Sequence, residues 1–207
     1  MEPFTRLTAV AAPLDLPNID TDRIIPARFL VKPKGAPGYA GFLFRDVRFN
    51  ADGSEKPEFV LNQAPYRGAR ILVVAENFGC GSSREMAVWV LEAYGIRSVI
   101  APSLGDIFHA NCYKNGLLPV ILPGEIVAGL RRQLHERPGA AVTVDLDAQT
   151  VGAPGGAQHR FEADPFRKEM LLTGRDELGL TLDFEARIGE FEERHARAMS
   201  WVAPPRR

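Results

Sequence analysis

The chain has 207 residues, 45% of them hydrophobic, which suits one domain, or one domain with an extension, around a sizeable core. Its 25 basic and 26 acidic residues are interspersed and leave a formal net charge of −1, which excludes the electrostatic footprint of a nucleic-acid binder, and Arg206 and Arg207 are too few for a basic tail. No apolar run approaches the roughly 18 residues that span a bilayer. Residues 1–10 mix Glu2 and Arg6 with apolar positions and are not expected to act as a signal peptide, so the expectation is a cytoplasmic protein without a membrane partner. Two cysteines, Cys80 and Cys112, argue against a disulfide framework and fit a reducing compartment. They are also too few for a cubane iron–sulfur cluster, which needs three or four thiolates.

Residues 5–12 read as a first strand, followed by the polar turn Asn18-Ile-Asp-Thr-Asp-Arg-Ile-Ile-Pro26. Residues 31–57 are rich in Gly, Pro and charge and read as a long loop with one helical turn, of the kind that becomes ordered on assembly. Residues 70–75 form a short buried strand. A Gly-rich turn, Phe78-Gly-Cys-Gly-Ser-Ser83, leads from it into a helix that places Ala87, Val90, Leu91 and Tyr94 on one face and stops at Gly95. A strand at 98–101, a helix at 106–115 stopped by Gly116 and a strand at 118–122 complete the pattern of parallel βαβ units with short links. A surface helix at 124–137, short antiparallel strands at 142–146, 150–151 and 159–161, a helix at 165–172 and a charged helix at 182–199 follow. The whole reads as an α/β chain forming one core.

Ser82-Ser83-Arg84-Glu85 fits the S-x-x-E capping box, with Ser82 as N-cap and Glu85 reaching back to it. That reading is complete without any function. The other reading combines the free N–H groups and positive dipole of a helix N-terminus, two glycines that permit close approach, and a planar cation in Arg84. Together these make an anion site with a hydroxyl inside it. A serine could act there as a base only if donors stabilised its alkoxide. Gly79-Cys-Gly81 fails the dinucleotide fingerprint at Arg84, there is no P-loop lysine, and the glycines flank Cys80 instead of a nucleophilic serine. Cys80 remains a candidate nucleophile if His109 approaches it in space. Asp22 and the Ser103-x-x-Asp106 pair read locally as turn or capping residues, Cys112 as a small packed residue, and the four histidines show no metal-ligand spacing.

Asn77-Phe-Gly-Cys-Gly-Ser-Ser-Arg-Glu85 resembles the signature of the aconitase-family swivelling domain. Asn18-Ile-Asp-Thr-Asp-Arg-Ile-Ile-Pro26, Ile100-Ala-Pro-Ser-Leu-Gly-Asp-Ile-Phe108, Leu117-Leu-Pro-Val120 and Gly179-Leu-Thr-Leu182 extend the resemblance in order over nearly the whole chain. It looks like the bacterial small subunits of 3-isopropylmalate dehydratases. The resemblance implies a single swivelling β/β/α domain over residues 1–207, with a parallel βαβ core, additional short antiparallel strands and helices, and a C-terminal helical extension near residues 183–200. It implies a hydro-lyase, active only with a large subunit as a heterodimer or higher assembly, that isomerises 2-isopropylmalate and 3-isopropylmalate by dehydration and rehydration in leucine biosynthesis.

The [4Fe–4S] cluster is expected on the large subunit, with no cofactor or metal held by this chain, and acts in the family as Lewis acid on the substrate. By motif position Ser82 is the base and Arg84 binds a substrate carboxylate. Ser83 is a neighbouring donor, Asp22 lines the site, and Arg28 opens the segment that reads the substrate side chain. The family usually has histidine where this chain has Met86. That departure leaves open a related diacid hydratase acting on citramalate, maleate or a substituted maleate. A further alternative, of another class, is a noncatalytic anion-binding or assembly module.

Overall fold

A computed structural model describes residues 1–82 and 84–202. In chain order its elements are β1 (Arg6–Leu14), α1 (Thr21–Ile24), α2 (Arg45–Arg48), β2 (Ile71–Val74), α3 (Met86–Tyr94), β3 (Ser98–Ala101), α4 (Asp106–Lys114), β4 (Leu118–Ile121) and α5 (Gly124–Glu136). Then come β5 (Ala141–Asp145), β6 (Thr150–Gly152), β7 (Gln158–Arg160), α6 (Pro165–Thr173), α7 (Glu177–Leu182) and α8 (Glu185–Ala198), with short 3-10 turns in the long β1–β2 connection. The strands form one seven-stranded sheet in the order β4-β3-β2-β1-β5-β6-β7.

β1 is where the sheet changes character. Its second half pairs parallel with β2, from Ala11 opposite Ile71 to Leu14 opposite Val74, while its first half pairs antiparallel with β5, from Arg6 opposite Asp145 to Val10 opposite Ala141. The β2–α3–β3–α4–β4 run is the expected parallel βαβ unit, and β5, β6 and β7 form the antiparallel half. The fold is therefore the expected mixed α/β class.

Each of the four residues of β2 is fully buried, because the parallel sheet is covered on both faces. Leu72 and Val74 join a core with Ala87, Val90 and Leu91 of α3 and Phe108 and Cys112 of α4. Ile71 and Val73 join a second core with Val127, Leu130 and Leu134 of α5 and Val142 and Val144 of β5. The period-two alternation of a strand thus divides one apolar run between two cores. Gly95 ends α3 in a left-handed conformation, as its sequence position predicts.

The connection at 31–57 is more ordered than a loop. Tyr39, Leu43 and Phe44 are buried in the α3-side core, a 3-10 turn covers Tyr39–Phe42, and Phe29 stacks on Phe42 with ring centroids 4.2 Å apart. Arg48 is buried there too. Its Nε donates to Asn62 Oδ1 at 2.7 Å, and the Asn62 amide returns a bond to the Arg48 carbonyl at 2.8 Å. Burial lowers the Arg48 pKa, and the rings of Phe49 and Tyr94 face its guanidinium.

The chain divides into two compact units, Met1–Gly174 and a second beginning at Arg175. The second unit holds α7, capped by Asp176 on the Gly179 N–H at 2.7 Å, and α8. The expected charged helix at 182–199 is α8, starting three residues later than expected, and α7, which precedes it, was not foreseen.

Candidate active site

Strands β1, β2 and β3 run parallel, so the segments leaving them emerge on one edge of the sheet, the carboxyl edge where open α/β sheets bind ligands. Backbone bonds tie the three segments together. Asn18 N–H donates to Glu76 O at 3.0 Å, Gly79 N–H to Ile19 O at 2.7 Å, and Thr21 N–H to Cys80 O at 3.1 Å. On the other side Gly105 N–H donates to Phe78 O at 2.9 Å. Asp20 and Cys80, and Phe78 and Leu104, form parallel bridges.

The backbone of this edge depends on particular residues. Gly79 has a φ of 75°, and a Cβ built on it would lie 2.3 Å from Cγ of the buried Phe108. A Cβ on Gly105 would lie 2.5 Å from the Gly79 carbonyl oxygen. Asn18 and Asn77 both take left-handed conformations, with φ of 54° and 57°, and the Asn77 side-chain amide donates to Asn18 Oδ1 at 2.8 Å. The Asn77 N–H donates to Ser103 Oγ at 2.9 Å. These roles were not assigned from sequence. The available signal was the tolerance of asparagine for left-handed turns.

Ser82 stands exposed on this turn, outside any helix. The expected capping box does not form: α3 starts at Met86, its N-cap position is Glu85, and no side chain caps it. Glu85 Oε1 instead accepts from Asn115 Nδ2 at 2.9 Å, a partner thirty residues away. Ser103 and Asp106 do not cap α4 either, because Gly105 takes the N-cap position and Ser103 serves Asn77. Asp20, two residues before Asp22, caps α1 by accepting from Arg23 N–H at 2.7 Å.

That leaves Asp22 free for Arg84. Arg84 Nη1 lies 2.5 Å from Asp22 Oδ1, with the Arg84 side chain 25% exposed and that of Asp22 47% exposed. The Asp20–Cys80 bridge puts these two segments side by side, so Ser82, Arg84 and Asp22 share one edge. Ser83 lies outside the described residues. Arg28 is committed elsewhere: its guanidinium grips Asp46 with both nitrogens, one bond being 2.9 Å, beside Phe29, Arg45 and Lys56 on a concavity of about 540 Å³. Hydrogen bonding to Arg28 holds the Asp46 carboxyl below its ordinary range.

His109, the residue a cysteine nucleophile at Cys80 would need, faces α6. Its Nδ1 is 3.4 Å from Arg167 Nη1, and its ring packs edge-on against Tyr113. Burial, then the Arg167 charge, lowers its pKa. Burial pushes the Cys112 thiol well up. Met86, at the first position of α3, packs partly buried against the apolar core. Among the described residues no group of three His, Cys, Asp or Glu side chains could hold a metal ion.

The family model described as the Aconitase C-terminal domain matches residues 1–125, and one described as LeuD_N matches residues 128–165. The 3-isopropylmalate dehydratase small subunit of Gluconacetobacter diazotrophicus is 53% identical over 201 residues, covering 97% of each chain. That of Rhodospirillum centenum is 51% identical, covering 98% of this chain and 99% of the relative. A crystal structure of 3-isopropylmalate dehydratase (leuD) from Methanocaldococcus jannaschii superimposes with a TM-score of 0.65 at 25% identity, covering 89% of this chain and 99% of that one. With its carboxyl-edge turn intact and its similarity running nearly end to end, the chain belongs to the aconitase C-terminal domain family and, within it, to the 3-isopropylmalate dehydratase small subunits.

Proposed function

We propose that this chain supplies a general base and a carboxylate clamp to an active site that a large subunit completes. The reaction is the interconversion of 2-isopropylmalate and 3-isopropylmalate, by loss and readdition of water, in leucine biosynthesis. The observation that carries this reading is an exposed serine and an ion-paired arginine that follow closely on Phe78, Gly79 and Cys80, whose backbone bonds to the neighbouring segments on both sides. In this reading Ser82 takes the proton from the carbon next to the departing hydroxyl and returns one when water adds back. Arg84 exchanges the Asp22 carboxylate for a carboxylate of the diacid, whose planar geometry its guanidinium matches. Ser83 is proposed as a neighbouring donor. Asp22 is proposed to hold Arg84 extended until substrate arrives, and Arg28 to orient, through Asp46, the segment that meets the substrate side chain.

An iron–sulfur cluster does not fit the residues present. Cys112 is sealed in the core, and Cys80 alone cannot supply the thiolates a cubane needs. The cluster is therefore proposed to belong to the large subunit. Met86, where the family usually has histidine, packs against the core, and this supports keeping isopropylmalate as the substrate. No helix among the described residues is long and apolar enough to cross a membrane, and the site of action is proposed to be the cytoplasm.

Reconstituting the Ser82→Ala chain with its large subunit tests the reading. Turnover is expected to fall on the order of a thousandfold, the scale of a lost general base, with assembly intact. Unchanged turnover would overturn the catalytic role and leave a noncatalytic module. A panel of isopropylmalate, citramalate and maleate decides the diacid.

A further inference from the structure

The four residues Ser82 to Glu85 spell a capping box that the fold does not use. Had it closed, Ser82 Oγ would accept from the N–H of residue 85, and Glu85 would bond back to the Ser82 N–H. The serine hydroxyl would then be spent on holding a helix end. Glu85 is engaged instead by the far end of α4. Asn115, the C-cap of α4, donates from Nδ2 to Glu85 Oε1 at 2.9 Å and to Asn111 O at 3.0 Å. Its Oδ1 accepts from Trp89 Nε1 of α3 at 2.9 Å. An indole N–H can only donate, so it fixes the Asn115 amide with its oxygen toward Trp89 and its NH₂ toward Glu85.

We propose that Asn115, oriented by Trp89, is a positioning residue that holds Glu85 out of the capping box, and so keeps Ser82 and Arg84 on the turn in front of α3. This rests on the reading of Ser82 and Arg84 as site residues. Two arrangements of one short segment compete. In the one observed, α3 begins at Met86 without a side-chain cap, and Glu85 anchors to α4. In the other, α3 gains a turn, Ser82 becomes its N-cap, and the hydroxyl is occupied. The capping box is local and needs no partner, whereas the anchor needs a residue thirty positions away. Losing Asn115 therefore tips the balance toward the box.

The test uses the complex reconstituted with the large subunit. Asn115→Ala and Asn115→Asp both abolish the donor to Glu85, and the aspartate adds a like charge opposite it. Both are expected to lower kcat/KM on the order of a hundredfold, the scale of a misplaced reacting group, with kcat carrying most of the loss. In both, hydrogen exchange at the Glu85 amide should slow, because that N–H becomes the one Ser82 caps. Glu85→Gln keeps an oxygen that accepts from Asn115, and should rescue the activity that Glu85→Ala loses.

A purely structural role predicts the opposite: a lower melting temperature with kcat/KM unchanged well below it. That outcome, with Ser82→Ala inactive, overturns the proposal and leaves the site reading standing. If Ser82→Ala is itself active, the site reading falls, and the Glu85 exchange rate alone decides the anchor: slower exchange supports it and unchanged exchange overturns it. Should the Asn115 variants fail to fold, the Glu85→Gln and Glu85→Ala pair decides, and equal kcat/KM in the two overturns the anchor.

Discussion

Arg84 and Asp22 face each other across the carboxyl edge with both side chains partly in water, a setting in which an ion pair contributes little to stability, about 0 to 1 kcal/mol. The pair therefore has little to do with holding the fold, which leaves Arg84 available for a ligand. Arg84→Lys keeps the charge but not the planar fork. A hydrogen bond to a charged group contributes about 1.5 to 3 kcal/mol, so KM for the diacid should rise roughly tenfold or more in the assembled enzyme, while the melting temperature of the chain hardly moves. Steady-state kinetics with unchanged KM would refute the clamp. Gly79 is the reverse case. Its left-handed backbone and the Phe108 ring 2.3 Å from a would-be Cβ leave no room for a side chain. Gly79→Ala should cost about 2 kcal/mol or more of stability through backbone strain and overpacking, as read by urea unfolding. A ΔΔG near zero would mean that the turn relaxes freely, and would weaken the case for a preformed site.

Helix α4 joins two functions: its first turn abuts the Gly79 turn and its flank docks on α6. On that flank His109 meets Arg167, Tyr113 and, one turn away, Asp106, and burial and the Arg167 charge depress its pKa below the ordinary 6.5. The unfolded chain then binds more protons than the folded one between those two pKa values. Stability is complete above about pH 6.5 and is lost as pH falls through the window toward the folded pKa. Urea midpoints across pH 5 to 8 should show this slope, and His109→Gln should flatten it. An equal slope in the variant would assign the effect to the carboxylates. At this scale the sequence was legible where structure is local. β2, β3 and β4 are short apolar runs between turn residues, and Gly95 and Gly116 are helix stops by their backbone freedom alone. It was not legible where a distant residue wins. The capping box gave way to Asn115, and residues 31–57 carry Tyr39, Leu43 and Phe44 into the core without any periodic spacing that would betray them. The turn bearing Ser82 and Arg84 was visible as a motif. The pairing of Arg84 with Asp22, and the departure of Arg28 to Asp46, arise from contacts across 62 and 18 residues that no local pattern records.

Strand β1 determines the plan of the sheet, because among the described residues it is the one strand paired parallel on one side and antiparallel on the other. On its parallel side the strand ends carry the candidate site. On its antiparallel side, β5 to β7 with α5 and α6 close the second core. Among the described residues neither core extends beyond Leu172, and the first unit ends at Gly174, where α6 stops in a left-handed turn whose carbonyl accepts from the Met1 amine at 2.8 Å. All seven strands and both cores thus belong to the first unit. A chain cut after Arg175, which keeps the Gly174 peptide and its bond to Met1, should unfold in one cooperative transition, with its near-ultraviolet circular dichroism preserved. If the cut chain instead keeps helix content but loses its tertiary signal, the second unit is part of the core's stability and the division at Gly174 is not energetic. Where the cut chain folds, mixing it with the large subunit separates two further roles: full turnover would place α7 and α8 outside both assembly and catalysis, whereas a folded chain that no longer assembles would assign them to the subunit interface.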